Sequence, residues 1–320
     1  MSTRVEEIDA RKASDSILER YVWVEHGCWP ETNPGEPQRS TAEAIAYLRF
    51  QPETHASFHF LADGGCASLY VHGPRAAFMH VLVHPLERRK GMGDLLLGAV
   101  VARARDVDVQ ALHAHHSTPA GAAFAARFGF VDNQRIVRSL LDLRTAELST
   151  TTPPAGWAIV TWLDHVPEEH LEAFVAARAA MDDAPTPEEM EFPNWTAEQI
   201  RASEKSLRRR NREMRVTVAR RDDGVIGAFT ELRVSRGSTL GFTDDTGTVA
   251  SHRGQGLARA VKVESLRRLR DDHPAVEVVT TSNAEENTVM RHLNESIGFR
   301  PSLLEVTTTL AVPGAFRGSR

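Results

Sequence analysis

Two six-residue stretches of this chain could hold a pyrophosphate. Arg88, Arg89, Lys90, Gly91, Met92 and Gly93 form the first; Arg253, Gly254, Gln255, Gly256, Leu257 and Ala258 form the second. Both read Arg-x-x-Gly-x-(Gly/Ala). Glycine has no Cβ to clash, so backbone N–H groups can crowd around an anion at such a turn. A helix that starts there adds the positive end of its dipole. Arg88, Arg89, Lys90 and Arg253 add full charges. Each stretch follows a strand-like run, Phe78–Val83 or Thr246–Val249, and precedes a Gly-Phe pair, Gly129-Phe130 or Gly298-Phe299. The two leading arginines lie 165 residues apart and the two Gly-Phe pairs 169. A 320-residue chain that repeats at half its length is expected to hold two copies of one domain, 1–149 and 150–320.

Other phosphate loops fit badly. The chain contains no Gly-x-x-x-x-Gly-Lys-(Ser/Thr), and Leu96 stands where a dinucleotide fingerprint needs its third glycine.

The elements that must carry these turns are legible in outline. Ser14–Cys28 and a capping-box start at Ser40–Glu43 read as helices, with Pro30–Pro37 as a loop between them. Ala56–Ala62, Cys66–His72 and Ala76–Val83 read as strands. After the first turn, Met92, Leu95, Leu96, Ala99 and Val100 recur at helical spacing. Strand 109–115, helix 121–127 and strand 135–143 complete the first half. A polar, proline-containing linker spans Leu148–Gly156. The second half repeats the order: strand 157–162, helix 168–180, helix 196–214, a hairpin around Asp222–Gly224, strand 240–249, a helix with Val261, Leu266 and Leu269 on one face, strand 276–281, helix 286–296 and strand 303–310.

Composition bounds the function. Apolar residues make up 41% and charged residues 25%, as in globular domains. The net charge of −5 argues against a general nucleic-acid partner. Cys28 and Cys66 are too few for a disulfide framework, which points to a reducing cytoplasm. The stretch Met1–Asp9 is too charged for a signal peptide, and no apolar run is long enough to span a membrane.

The paired turns with their Gly-Phe landmarks resemble the GNAT superfamily of acyl-CoA-dependent N-acyltransferases, in a tandem arrangement that covers nearly the whole chain. The resemblance implies an α/β (α+β) fold: two GNAT-like domains, each a mixed, mostly antiparallel sheet flanked by helices. It implies acetyl-CoA as acyl donor, direct transfer to a small-molecule amine, and no metal. A protein N-acetyltransferase and a non-catalytic acetyl-CoA sensor or scaffold remain alternatives. By position relative to each arginine, the resemblance gives the pantetheine arm the backbone of Val81, Leu82 and Val83 in the first half. In the second half it gives Thr246, Gly247 and Thr248. It gives Asn283 and Asn287 polar contacts to the donor; the first half has Ala114 and Thr118 there.

Relatives carry a strand glutamate as base, eleven residues before the signature. Here those positions are Ala77 and Phe242. Two residues on, and on the same face, stand Met79 and Asp244. Asp244 is therefore one candidate base, with Asp245 able to exchange with it through a bulge, and Glu231 on the preceding strand is the other. The tyrosine that serves relatives as acid is replaced by Ala125 and Asn294. Tyr21, Tyr47 and Tyr70 are the three tyrosines, so the second half has none. Both halves are expected to bind CoA and the second to do the chemistry.

Three further features read more plainly. His113, His115 and His116 lack the partners of a metal site. The run 207–215, rich in arginine, reads as a solvated face. Asp182, Asp183, Glu188 and Glu189 read as an exposed acidic loop.

Overall fold

The computed structural model describes residues 4–50, 56–71, 76–149, 152–181 and 195–312. The expected loop of Asp182, Asp183, Glu188 and Glu189 lies outside the described residues, as do two positions of the linker. The chain forms two compact units, 1–136 with 303–320 and 137–302. The repeat boundary at 149/150 describes the sequence; the compact units divide the folded chain differently.

Unit 1 is a sheet with helices on both faces. Its strands are β1 (Glu6–Ile8), β2 (Ala56–Ala62), β3 (Gly65–Val71), β4 (Ala76–Val83) and β5 (Ala111–His116), in that order, with β12 (Arg300–Ala311) beside β5. β1–β2, β2–β3, β3–β4 and β5–β12 pair antiparallel, and β4 and β5 run parallel. Helices α1 (Asp15–Thr32) and α2 (Thr41–Arg49) cover one face, where Leu18, Val22, Leu48, Leu61 and Cys66 are buried together. Helix α3 (Met92–Asp106) covers the other, packing Leu96 and Val100 on Leu69, Ala77, Met79 and Leu112. Helix α4 (Pro119–Arg127) leads to β6 (Val131–Asp142).

Unit 2 repeats the plan. Strands β7 (Ala158–Leu163), β8 (Arg212–Arg220), β9 (Ile226–Ser235), β10 (Leu240–Thr248) and β11 (Val278–Ala284) neighbour one another in order, with β6 beside β11. Again β10 and β11 run parallel, while β7–β8, β8–β9 and β9–β10 pair antiparallel. Helices α5 (Glu168–Arg178) and α6 (Ala197–Arg209) bury Phe174, Leu207, Val216 and Phe229 on one face. Helix α7 (Leu257–Asp272) buries Val263, Leu266 and Leu269 against Leu232, Val279 and Phe299 on the other. Helix α8 (Thr288–Ile297) precedes β12. The buried alternation Val137, Ser139, Leu141 marks the part of β6 that joins this unit.

Local chemistry explains where these elements depart from sequence expectation. Helix α1 runs through Pro30 to Thr32, where a loop is expected. Proline has no N–H for the carbonyl four residues back. That carbonyl, of His26, instead accepts from Gln38 Nε2 at 3.0 Å. The helix expected over 196–214 stops at Arg209 because Asn211 turns the chain with φ +56°, a conformation asparagine tolerates. Residues 212–214 therefore begin β8. Arg215 is not solvated but fully buried, with Nε on Glu213 at 2.7 Å and a terminal nitrogen on Asp272 at 2.5 Å. In α3, Leu95 faces outward and Leu97 takes its expected place in the core.

Candidate functional site

The two signature turns have one backbone. Arg88 and Arg253 are extended with φ −66° and ψ 161° or 159°. The next residues, Arg89 and Gly254, are left-handed at φ +65° and +76°. Gly91 and Gly256 are left-handed too, at φ +81° and +76°, and cap α3 and α7. Neither cap offers a side chain to the first-turn N–H groups, so those donors face outward with the helix dipole behind them. A Cβ at Gly91, Gly254 or Gly256 would meet no atom within 4 Å; these glycines are required by φ, and the space above them is open. Arg89 adopts the same conformation with a side chain, at a cost of roughly 1–2 kcal/mol.

The basic side chains are not equivalent. Arg88 and Arg253 turn inward: Nε of each donates to the last carbonyl of the preceding strand, Val83 O at 3.1 Å and Thr248 O at 3.3 Å. Arg88 also pairs with Glu31 of α1 at 2.9 Å, and Lys90 with Glu87 at 2.7 Å. Met92 and Leu257 bury their side chains, leaving only backbone to an anion. Gly93 is close-packed, since a Cβ there would stand 2.8 Å from Phe124. Gln255 accepts from the Trp157 indole at 3.2 Å.

Next to each turn the sheet opens. Parallel pairing of β4 with β5 covers Ala76–Phe78, and that of β10 with β11 covers Leu240–Phe242. Beyond these three pairs the strands part. His84 N–H donates to Gly64 O and Val249 N–H to Gly227 O, which fixes the alternation. The backbone groups of Leu82 and Gly247 therefore belong to the ladders with β3 and β9. Those of Val81 and Val83, and of Thr246 and Thr248, point toward the gap. Gly247 has a packing reason, because a Cβ would stand 2.8 Å from the Phe229 ring.

The units differ at the mouth of the gap. In unit 1 the β3–β4 register is unbroken from Gly65↔Val83 to Val71↔Ala77. In unit 2 the β9–β10 register slips between Thr243 and Thr246, so Asp244 and Asp245 together oppose Glu231. The bulge sends the two aspartates to different arginines. Asp245 pairs with Arg178 at 2.6 Å and Asp244 with Arg233 at 2.6 Å. Glu231 is buried and holds Arg178 at 2.5 Å. Arg178, at the end of α5, lies 4.1 Å from the Trp195 ring centroid and near Phe174 and Phe229. Burial pushes the Asp244 carboxyl up to about 6; Arg233 opposes this, while Glu231 and Asp245 add to it. The Asp244 side chain remains 28% exposed.

The bulge also corrects the comparison of the two halves. From Phe242 to Arg253 the chain is one residue longer than from Phe78 to Arg88. Counted from the last parallel pair, the counterpart of Asp244 is His80, not Met79. Met79 is buried against α3.

The two asparagines have structural partners. Asn287 caps α8, accepting from Met290 N at 3.2 Å, and Thr118 caps α4 in the same way. Asn283 Oδ1 accepts from Asn294 Nδ2 at 2.7 Å. His113 Nδ1 lies 2.9 Å from Thr309 Oγ1, and Cys28 and Cys66 are buried free thiols. Among the described residues no helix is long and apolar enough to cross a membrane.

The chain is similar to known proteins. A family model described as Acetyltransferase (GNAT) family matches residues 18–130. A protein of Kineococcus radiotolerans named mycothiol acetyltransferase is 33% identical over 193 residues, which is 58% of each chain. One of the same name from Thermomonospora curvata is 30% identical over 232 residues, 71% of each chain. Among solved structures, a tandem GNAT protein from the clavulanic acid biosynthesis pathway superposes with a TM-score of 0.83 at 24% identity, covering 97% of this chain and 99% of its own, a likeness of fold. With two turns of one backbone, two opened sheets and relatives matched over most of its length, the chain belongs to the GNAT family of acetyltransferases, as a tandem member.

Proposed function

We propose that unit 2 transfers an acetyl group from acetyl-CoA to a small-molecule amine, with Asp244 receiving the amine's proton. The observation that carries this reading is the bulge: it sets a half-open carboxylate two residues beyond the last β10–β11 pair, beside the open gap. The backbone N–H groups of Gly254, Gln255 and Gly256, with those of the first turn of α7 from Leu257 on, then hold the donor's pyrophosphate, while Arg253 clamps the turn to β10. Thr246 and Thr248 offer backbone N–H groups to the pantetheine arm and to the oxyanion of the tetrahedral intermediate. Only the neutral amine attacks, so its ammonium must first lose a proton, and a carboxyl near 6 accepts one at neutral pH better than an ordinary aspartate. Glu231 is the second candidate, but its bond to Arg178 suits it to holding the bulge. The thiolate leaves without a dedicated acid, since a thiol of pKa about 8.5 is a tolerable leaving group. That relatives are named for mycothiol rather than for a protein supports a small-molecule acceptor. The turn of unit 1 binds a second acyl-CoA.

Steady-state release of CoA thiol, measured on Asp244→Asn and Glu231→Gln with a panel of amines, tests the assignment. Asp244→Asn is expected to lose about 100-fold or more in kcat. Wild-type rates in both variants would remove the base from this bulge.

A further inference from the structure

The sheet face that carries carboxylates in unit 2 carries rings in unit 1. Cys66 and Leu82 lie on the α1 side of the sheet, while Leu69, Ala77, Met79 and Leu112 lie on the α3 side. Alternation therefore puts Ser68, Tyr70, Phe78, His80, His113 and His115 on the α1 side. They form two runs of ring contacts. Tyr21, His59, Tyr70 and His80 meet edge to face with centroids 5.8, 5.8 and 6.1 Å apart. Phe78 lies 5.6 Å from His113 and nearly parallel to His115 at 6.1 Å.

His80 is placed as Asp244 is in unit 2, two residues beyond the last parallel pair, Phe78↔His113. Directly across the ladder stands Ser68, where unit 2 has Glu231. Ser68 Oγ lies 3.5 Å from His80 Nδ1, and Ser68 also shares hydrogen bonds with Tyr21 and Tyr70. His80 and His115 are open to solvent, and Tyr70 and Phe78 half so. Although the residue is exposed, packing around its ring desolvates the imidazole and pushes its pKa down to about 4; His115 adds to this and Glu305 opposes it. Glu25 of α1, whose charge reaches Tyr21 and Tyr70, is itself pushed up to about 7 by burial, with Arg39 opposing. The face thus presents rings and an imidazole; β3 and β4 carry no carboxylate, and the acids that reach it, Glu25 and Glu305, stand on α1 and β12.

We propose that unit 1 is a second acyl-acceptor site, which takes a planar, weakly basic amine (an aromatic or heteroaromatic one), and that His80 receives its proton. The inference rests on the reading that the turn Arg88–Gly93 holds acetyl-CoA. Such an amine is uncharged at neutral pH and needs no prior deprotonation. Its nitrogen attacks the thioester carbon; the N–C bond forms and the C=O π pair moves to oxygen. The nitrogen, now acidic, gives a proton to His80 Nε2, and a weak base suffices for that transfer. Collapse breaks the C–S bond, the pair leaves on sulfur, and His80 returns the proton to give CoA thiol and the amide. Tyr70, Phe78 and His115 supply the ring contacts that hold the acceptor.

The test uses the full chain with Gly256→Glu, which blocks the turn of unit 2, and 4-methoxyaniline as acceptor with n-butylamine as contrast. CoA thiol release is measured alongside acetyl-CoA binding by calorimetry. The variant is expected to bind one acetyl-CoA and to acetylate 4-methoxyaniline in preference to n-butylamine. Adding His80→Phe should lower that rate about 100-fold without changing acetyl-CoA binding. His80→Gln should behave likewise, and because the residue is open to solvent neither change should disturb the fold. The inference is overturned if the Gly256→Glu protein binds acetyl-CoA yet leaves 4-methoxyaniline unreacted, or if His80→Phe and His80→Gln keep the rate. Absence of any bound acetyl-CoA in that variant overturns it through its premise and leaves the assignment of unit 2 standing.

Discussion

Arg88 and Arg253 make the same bond: each guanidinium Nε reaches back five residues to a strand carbonyl, Val83 O at 3.1 Å and Thr248 O at 3.3 Å. The leading arginine of the signature is therefore a clamp between strand and turn, and the anion is left to the N–H groups that follow. A lysine carries the charge but not the Nε geometry. Arg253→Lys is accordingly expected to weaken acetyl-CoA binding at unit 2 nearly as much as Arg253→Ala, by about tenfold, the scale of one charge-assisted hydrogen bond. Calorimetric titration of both variants checks it; full affinity in Arg253→Lys would mean the charge alone matters.

The next position separates the units. Arg89 holds φ +65° where the second turn has Gly254 at +76°. Arg89→Gly should relieve about 1 kcal/mol of strain and raise the unfolding midpoint. Gly254→Arg should lower it by a similar amount. Thermal melts of the two variants read the opposite signs, and a fall in Arg89→Gly would show that the arginine side chain contributes more than the strain removes.

These contrasts also mark how far the sequence could be read. The repeat, the turns and the capping box of Ser40 with Glu43 were legible because each is local: a few residues carry the whole signal. The extra residue between Phe242 and Arg253 was legible too, as a one-residue difference from Phe78 to Arg88. Counting from the arginines pairs Asp244 with Met79, whereas counting from Phe242 and Phe78 pairs it with His80. Other features were not local. Glu231 and Arg178 stand on different elements, and only folding brings them within 2.5 Å. Arg212–Met214 fit a helix pattern and a strand pattern alike, and the residue that decides for the strand is Asn211 with its positive φ. Pro30 remained inside α1 because Gln38, eight residues on, satisfies the carbonyl it orphans.

The raised carboxyl of Asp244 gives the reaction in unit 2 a pH signature. As a base it must be ionised, so kcat/KM should fall as pH drops through about 6. Burial is the main cause of that value, with the charges of Glu231 and Asp245 adding to it against Arg233. Neutralising one neighbour through Asp245→Asn should therefore move the acid limb to lower pH. Profiles of wild type and Asp245→Asn between pH 5 and 8 read this. An acid limb that stays in place would detach it from the bulge.

Lys262 offers a test of stability rather than activity. Its side chain is buried in α7, with Nζ 5.3 Å from the Phe299 ring centroid. Burial pushes its pKa from 10.5 down to about 7. A depressed lysine disfavours the folded state wherever the unfolded chain would be protonated. Below about 7 both states carry the proton, and the folded state bears the full cost of the buried charge, on the order of several kcal/mol. Between about 7 and 10.5 the unfolded chain keeps its proton while the folded one has lost it, so this contribution makes stability rise with pH. Above that window both forms are neutral and the cost is gone. Lys262→Met keeps the volume and removes the charge. It should raise stability by a few kcal/mol near pH 7, and the difference from wild type should shrink toward zero near pH 10. Urea titrations of both proteins at the two pH values give the difference directly; a gap that stays constant with pH would show that the Phe299 ring and the surrounding packing already offset the charge.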